Sequence, residues 1–143
     1  MCMKILKYTF IEDKFGVVDG EVVELDPIET TLRFSLTLNA MGMFEEEYGE
    51  SVIEVLLRNI GENGQAVGDE ITSRTFVMAL ASATYLKVEN NEVYNNNATK
   101  DEFKTLPFYK SVASDIQFVS ELIKMSFDCI MDRKAKGEKK GKN

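Results

Sequence analysis

Thr30-Thr31-Leu32-Arg33-Phe34-Ser35-Leu36-Thr37-Leu38-Asn39-Ala40-Met41-Gly42-Met43-Phe44-Glu45-Glu46-Glu47-Tyr48-Gly49 is the stretch in which the chain changes its period. From Thr30 to Thr37 apolar and polar residues alternate, with Leu32, Phe34 and Leu36 on one side and Thr31, Arg33, Ser35 and Thr37 on the other. That spacing is a half-buried strand with a core face and a wet face. From Leu38 onward, Leu38, Met41, Phe44 and Tyr48 recur at intervals of three and four and line one stripe of a helix. Thr37 is placed to cap that helix, and Gly49 stands where a left-handed residue would end it. A strand running straight into a helix orders the fold, with strands before this point and helices after it.

Upstream, Lys4 to Ile11 is rich in strand formers. Val17-Val18-Asp19-Gly20-Glu21-Val22-Val23 then sets Asp-Gly between β-branched pairs, a tight hairpin signal because both turn residues need positive φ. Pro27 after Asp26 marks a break. The simplest assembly is a small antiparallel sheet of about three strands within residues 3–37.

Downstream, Ser51 and Glu54 have capping-box spacing ahead of the apolar face Val52, Val55, Leu56 and Ile60, which Gly61 ends. Thr72 or Ser73 opens another helical pattern, with Phe76, Val77, Leu80, Ala83 and Tyr85 as its buried members. Five asparagines between Glu89 and Asn97 favour turns, and this stretch reads as a loop. Thr99 and Glu102 repeat the capping spacing for a short helix ending before Pro107. Val112, Ile116, Val119, Ile123, Phe127 and Ile130 then spell a long amphipathic helix. From Lys134 no apolar residue is larger than Ala135, and the tail reads as disordered. The expectation is a single α+β domain over residues 1–133, with strands in 3–37 and four to five helices in 38–133 packed on the sheet, and a basic disordered tail over 134–143.

Composition narrows the chemistry. The 143 residues contain no histidine, which removes the usual nucleophile–base pairs and imidazole metal triads. Gly61, Gly64 and Gly68 form no phosphate loop, because no Lys-Ser/Thr pair follows them. Glu45, Glu46 and Glu47 are consecutive on a helix and point about 100° apart, so they cannot converge on one ion. The reading is non-enzymatic, with no catalytic residue, cofactor or metal. Cys2 and Cys129 read as a terminal and a buried free thiol, although a bridge between them is the alternative. No apolar run has the length of a membrane span and no secretory signal is recognisable, so the cytoplasm is expected. The net charge is −7, yet residues 132–143 hold six basic against two acidic side chains, or +4, which leaves −11 on the rest. An acidic body disfavours nucleic acid and anionic membrane as partners. Candidate partner-contacting residues are Met43, Phe44 and Tyr48, with Met43 lying off the Met41–Phe44–Tyr48 stripe, and Lys134, Lys136, Lys139 and Lys140 of the tail, which could reach an acidic body.

The segment from Thr31 to Leu56, with Phe44-Glu45-Glu46-Glu47-Tyr48-Gly49 closing its first helix and Ser51 opening the next, is similar to the N-terminal half of tail assembly chaperones of long-tailed phages and prophages of Gram-positive bacteria. The asparagine-rich stretch, the long final helix and the Lys-rich end also suit that family. The resemblance implies a non-catalytic protein that binds the tape-measure protein, helps recruit tail-tube subunits, self-associates weakly and is absent from the mature virion. Genes of that family often end at a slippery lysine-coding run where some ribosomes shift frame, and Glu138-Lys139-Lys140-Gly141-Lys142 could be encoded in that way. A head–tail connector, a minor tail protein and a small acidic inhibitor are the alternative expectations.

Overall fold

The computed structural model describes residues 4–59, 61, 67–95 and 100–141, with backbone alone at 95, 100 and 133–141. Two strands, β1 (Leu6–Val18) and β2 (Glu21–Phe34), precede the helices α1 (Leu38–Tyr48) and α2 (Val52–Asn59). One 3-10 turn at Glu70–Thr72 leads into α3 (Arg74–Thr84), which continues directly into β3 (Tyr85–Glu89) and β4 (Glu92–Asn95). Short α4 (Lys100–Phe103) and α5 (Tyr109–Ser114) lead to the long α6 (Ile116–Gly141). The sheet is antiparallel in the order β1-β2-β3-β4. The fold is α+β, as the period change at Thr37 requires.

Local signals hold where they are local. Thr37 accepts the N–H of Ala40 at 3.1 Å, and Gly49 closes α1 at φ 89° while donating to the Glu45 carbonyl. Ser51 accepts from the N–H of Glu54, and Ser73 from that of Phe76. The partner Thr99 and the face residue Ile60 lie outside the described residues.

Five readings are corrected. Residues 3–37 hold two strands, not about three, and β3 and β4 lie within the stretch 38–133 expected to hold helices alone, with Tyr85 opening β3. The asparagine-rich stretch is a hairpin: Asn90 and Asn91 both adopt positive φ and turn β3 into β4, whereas Asn96 and Asn97 lie outside the described residues. Asn tolerates that conformation better than any residue but glycine, so a loop composition also encodes a tight turn. The final apolar stripe is not one helix. Asp115 takes φ −85° and ψ 100°, ends α5, and caps α6 by accepting from the N–H of Phe118 at 3.0 Å. Ile123 and Ile130 of the stripe are buried, joined by Phe118, Leu122, Met125 and Cys129, while the break leaves Ile116 in solvent. The tail from Lys134 is helical in backbone as far as Gly141, since a formed helix propagates cheaply through Lys, Ala and Glu. Finally, Cys129 is buried and disulfide-bonded, not a free thiol. The start of the chain runs beside it, for Lys4 pairs with Asp128 at 3.3 Å, and Cys2 lies outside the described residues.

The core forms where the strands meet the helices. Leu32, Phe34 and Leu36 are buried, joined by Phe44, Phe76 and Leu80 of α1 and α3. However, β2 ends at Phe34, and Ser35, expected on the wet face, is buried too, donating to the Lys4 carbonyl at 2.8 Å. From Phe76 to Thr84 every residue of α3 is buried, and Ala79, Ala81 and Ala83 let neighbours approach its backbone. Phe34 packs against Tyr85 of β3 and Phe118 of α6, with ring centroids at 5.8 and 4.9 Å. Phe34→Ala is expected to cost about 3–5 kcal/mol, measured as a lowered denaturation midpoint.

Candidate docking surface

The sheet is two hairpins joined at their roots. Only Arg33 and Phe34 of β2 pair with β3, opposite Leu86 and Tyr85. Beyond that joint β1 and β2 continue together as a ribbon, turned at Asp19-Gly20 with φ 52° and 81°. Contact with the body is seen as far as Phe10, whose ring lies 6.2 Å from that of Phe108. From Ile11 to Thr30 every residue but Gly16 and Val23 is exposed. Eight residues of strand at about 3.3 Å each make an arm of roughly 25 Å.

Its pairing explains Pro27. Glu12 pairs with Ile28 and Lys14 with Leu25, so Asp26 and Pro27 together face Asp13 in a bulge. Proline has no N–H for a ladder and is tolerated at such a place. The extra residue restores alternation beyond it. Val23, Leu25 and Ile28 therefore continue the face that Leu32 and Phe34 begin, with Val18 beside them, while Phe15, Val17 and Val22 stand on the other. Gly16 leaves room for Leu25, whose side chain would lie 3.1 Å from an added Cβ.

The arm thus exposes apolar groups on both faces: Val22 is 73% accessible, Val17 71%, Phe15 61% and Val18 56%. Contiguous exposure of this kind marks a docking surface more often than isolated surface apolar residues do. The arm is also acidic, with seven carboxylates against one lysine between residues 11 and 30, a net of −6. The β3–β4 hairpin leaves the same root in the same direction and exposes the cross-strand pair Val88 and Val93.

The residues singled out from sequence are not on this surface. Phe44 is fully buried, stacked on Tyr48 with centroids 5.0 Å apart and edge-on to Phe76. It is core, because the α1 stripe faces α3. Met43 is half-buried against the core, its sulfur accepting from Asn39 Nδ2 at 3.4 Å. Glu45, Glu46 and Glu47 form an exposed helix face. Lys134, Lys136, Lys139 and Lys140 lie on the last turns of α6. The arm was half visible: Asp19-Gly20 marked its tip, but Pro27 and the polar run Glu12-Asp13-Lys14 hid its length. The missed signal was the near-symmetry of strand formers about Asp19-Gly20.

Tyr48 has another task. It donates to Glu70 at 2.8 Å, and Glu70 also accepts from Arg58 Nε and Nη2 at 2.9 and 2.7 Å and from Asn59 Nδ2 at 2.7 Å. Arg58 further holds Glu50, and Asn59 donates to the Val55 carbonyl. The cluster ties α1, α2 and the Glu70–Thr72 turn together. Donors from Arg58 first, then Asn59 and Tyr48, hold the Glu70 carboxyl down to about 2, which leaves it a poor base. Burial, then the bond to Glu70, raises the Tyr48 phenol to about 12. Among the described residues no group of three or more His, Cys, Asp or Glu is placed to hold a metal ion, and no helix is long and apolar enough to cross a membrane.

No family model, curated protein or solved structure matches this chain.

Two outcomes follow from the cluster. The folded carboxyl of Glu70 titrates below its unfolded value of 4.5, so its stabilisation is complete above pH 4.5 and lost as pH falls towards 2. The stability gap between wild type and Glu70→Gln should be widest at neutral pH and close across that window in acid denaturation. At Gly68 an added Cβ would lie 1.9 Å from Asn59 Oδ1. Gly68→Ala is therefore expected to destabilise by about 1–3 kcal/mol, read by urea titration.

Proposed function

We propose that this chain is a non-catalytic tail assembly chaperone that binds the tape-measure protein with its projecting arm and helps recruit tail-tube subunits. The observation that carries the reading is the arm, a ribbon exposing Phe15, Val17 and Val22 to solvent among closely spaced carboxylates. A long apolar helical protein awaiting assembly needs such a cover: apolar contact on one side and charge towards water on the other. The resemblance of residues 31–56 to this family supports the same reading. On this proposal the protein acts in the bacterial cytoplasm and is left out of the finished particle. The bond at Cys129 bears on that placement, since rapid alkylation in cells would find the thiol reduced in a cytoplasmic pool.

The test is co-expression with a tape-measure protein from the same genome, followed by pulldown and sizing. Wild type is expected to yield a large soluble complex, and Phe15→Thr/Val22→Thr, which keeps strand-forming residues opposite Glu24 and Val17, to leave the tape-measure protein insoluble while its own circular dichroism is unchanged. A tape-measure protein that stays insoluble with wild type rejects the function. A double variant that solubilises as well as wild type rejects the arm as the contact. Detection of the chain in purified virions by mass spectrometry would favour the connector or minor tail protein.

A further inference from the structure

The acidic arm and the basic end of α6 lie at opposite ends of the molecule. Three contacts fix their directions. Lys4 meets Asp128 at 3.3 Å, Tyr8 packs on Phe118 with centroids 4.8 Å apart, and Phe10 packs on Phe108. Moving along β1 towards the arm therefore means moving back along α6, and α6 runs away from the arm. Its last ten residues, at about 1.5 Å each, extend roughly 15 Å beyond this packing. Residues 132–143 carry +4 and the arm −6. One copy cannot bring the two together without unmaking the core contacts of α6.

We propose that the arm of one copy receives the basic end of α6 of a second copy, giving head-to-tail association. Charge selects this occupant. Two arms laid edge to edge would oppose −6 against −6, so the unpaired outer edge of β1 is guarded against its own kind. The end of α6 offers the opposite sign, and Met131, 41% exposed just ahead of the basic run, adds an apolar contact for the arm valines. The two surfaces differ, so the contact either closes reciprocally in an antiparallel two-fold dimer or repeats head-to-tail into rings or open chains. The inference rests on charge and direction and needs no client, so it stands or falls separately from the function proposed above.

Sedimentation velocity of the full-length chain tests it. At an ionic strength of about 0.02 M the wild type should show concentration-dependent association to a dimer or larger species, weakening about tenfold or more at about 0.5 M as the charges are screened. Glu21→Lys/Glu24→Lys on the arm and Lys136→Glu/Lys139→Glu/Lys140→Glu on α6 should each remain monomeric at low salt, with unchanged circular dichroism and thermal midpoint. An equimolar mixture of the two variants should associate again, because the basic end of the first meets the intact arm of the second. A monomeric wild type at low salt, variants that still associate, or a mixture that stays monomeric would each overturn the proposal.

Discussion

The buried Phe34 ring is the contact on which the rest of the structure depends. It lies on the last residue of β2, pairs across the sheet with Leu6 on one side and Tyr85 on the other, and packs on Phe118 of α6. The two hairpins share only the pairs at Arg33 and Phe34, so this ring supplies much of what joins them. It also seats the start of α6 at Phe118, while the contacts of Lys4 with Asp128 and Tyr8 with Phe118 set the direction of α6 relative to β1.

A two-stranded ribbon is marginal in water on its own. Here it is anchored at its root, where Tyr8 reaches Ser111 at 2.6 Å and Phe10 meets Phe108. Beyond the root its order rests on ladder hydrogen bonds, cross-strand pairs such as Val17 with Val22, and a turn whose residues suit positive φ. The arm exposes apolar groups that the core could have buried. A chain that leaves them in water, among carboxylates that keep them dispersed, has a surface suited to contact. The Glu70 cluster has the opposite character: every donor is committed to holding helices, and Tyr48 is withdrawn from any partner.

Legibility followed the range of the interaction. Thr37, Gly49, Ser51 and Ser73 were readable because a cap involves residues three or four apart, and Leu32, Phe34 and Leu36 because alternation exposes one face of a strand. Asn90-Asn91 was not, since the residues that make a loop also make a tight turn, and pairing with β3 decides between them. Asp115 was read as the wet side of a helix, although it ends one helix and caps the next. Phe44 and Tyr48 looked like partner contacts, yet the stripe that carries them faces α3.

The sequence by itself determined the change from strand to helix at Thr37, the caps at Thr37, Ser51 and Ser73, the tip of the arm and the charge at each end, because these depend on neighbours along the chain. Tertiary structure alone decided that β1 and β2 continue past the body, that Pro27 sits in a bulge facing Asp13, and that α6 runs back from the arm. Those depend on register and packing between residues far apart in sequence, and a shift of one residue in register would have turned the apolar faces of the arm the other way.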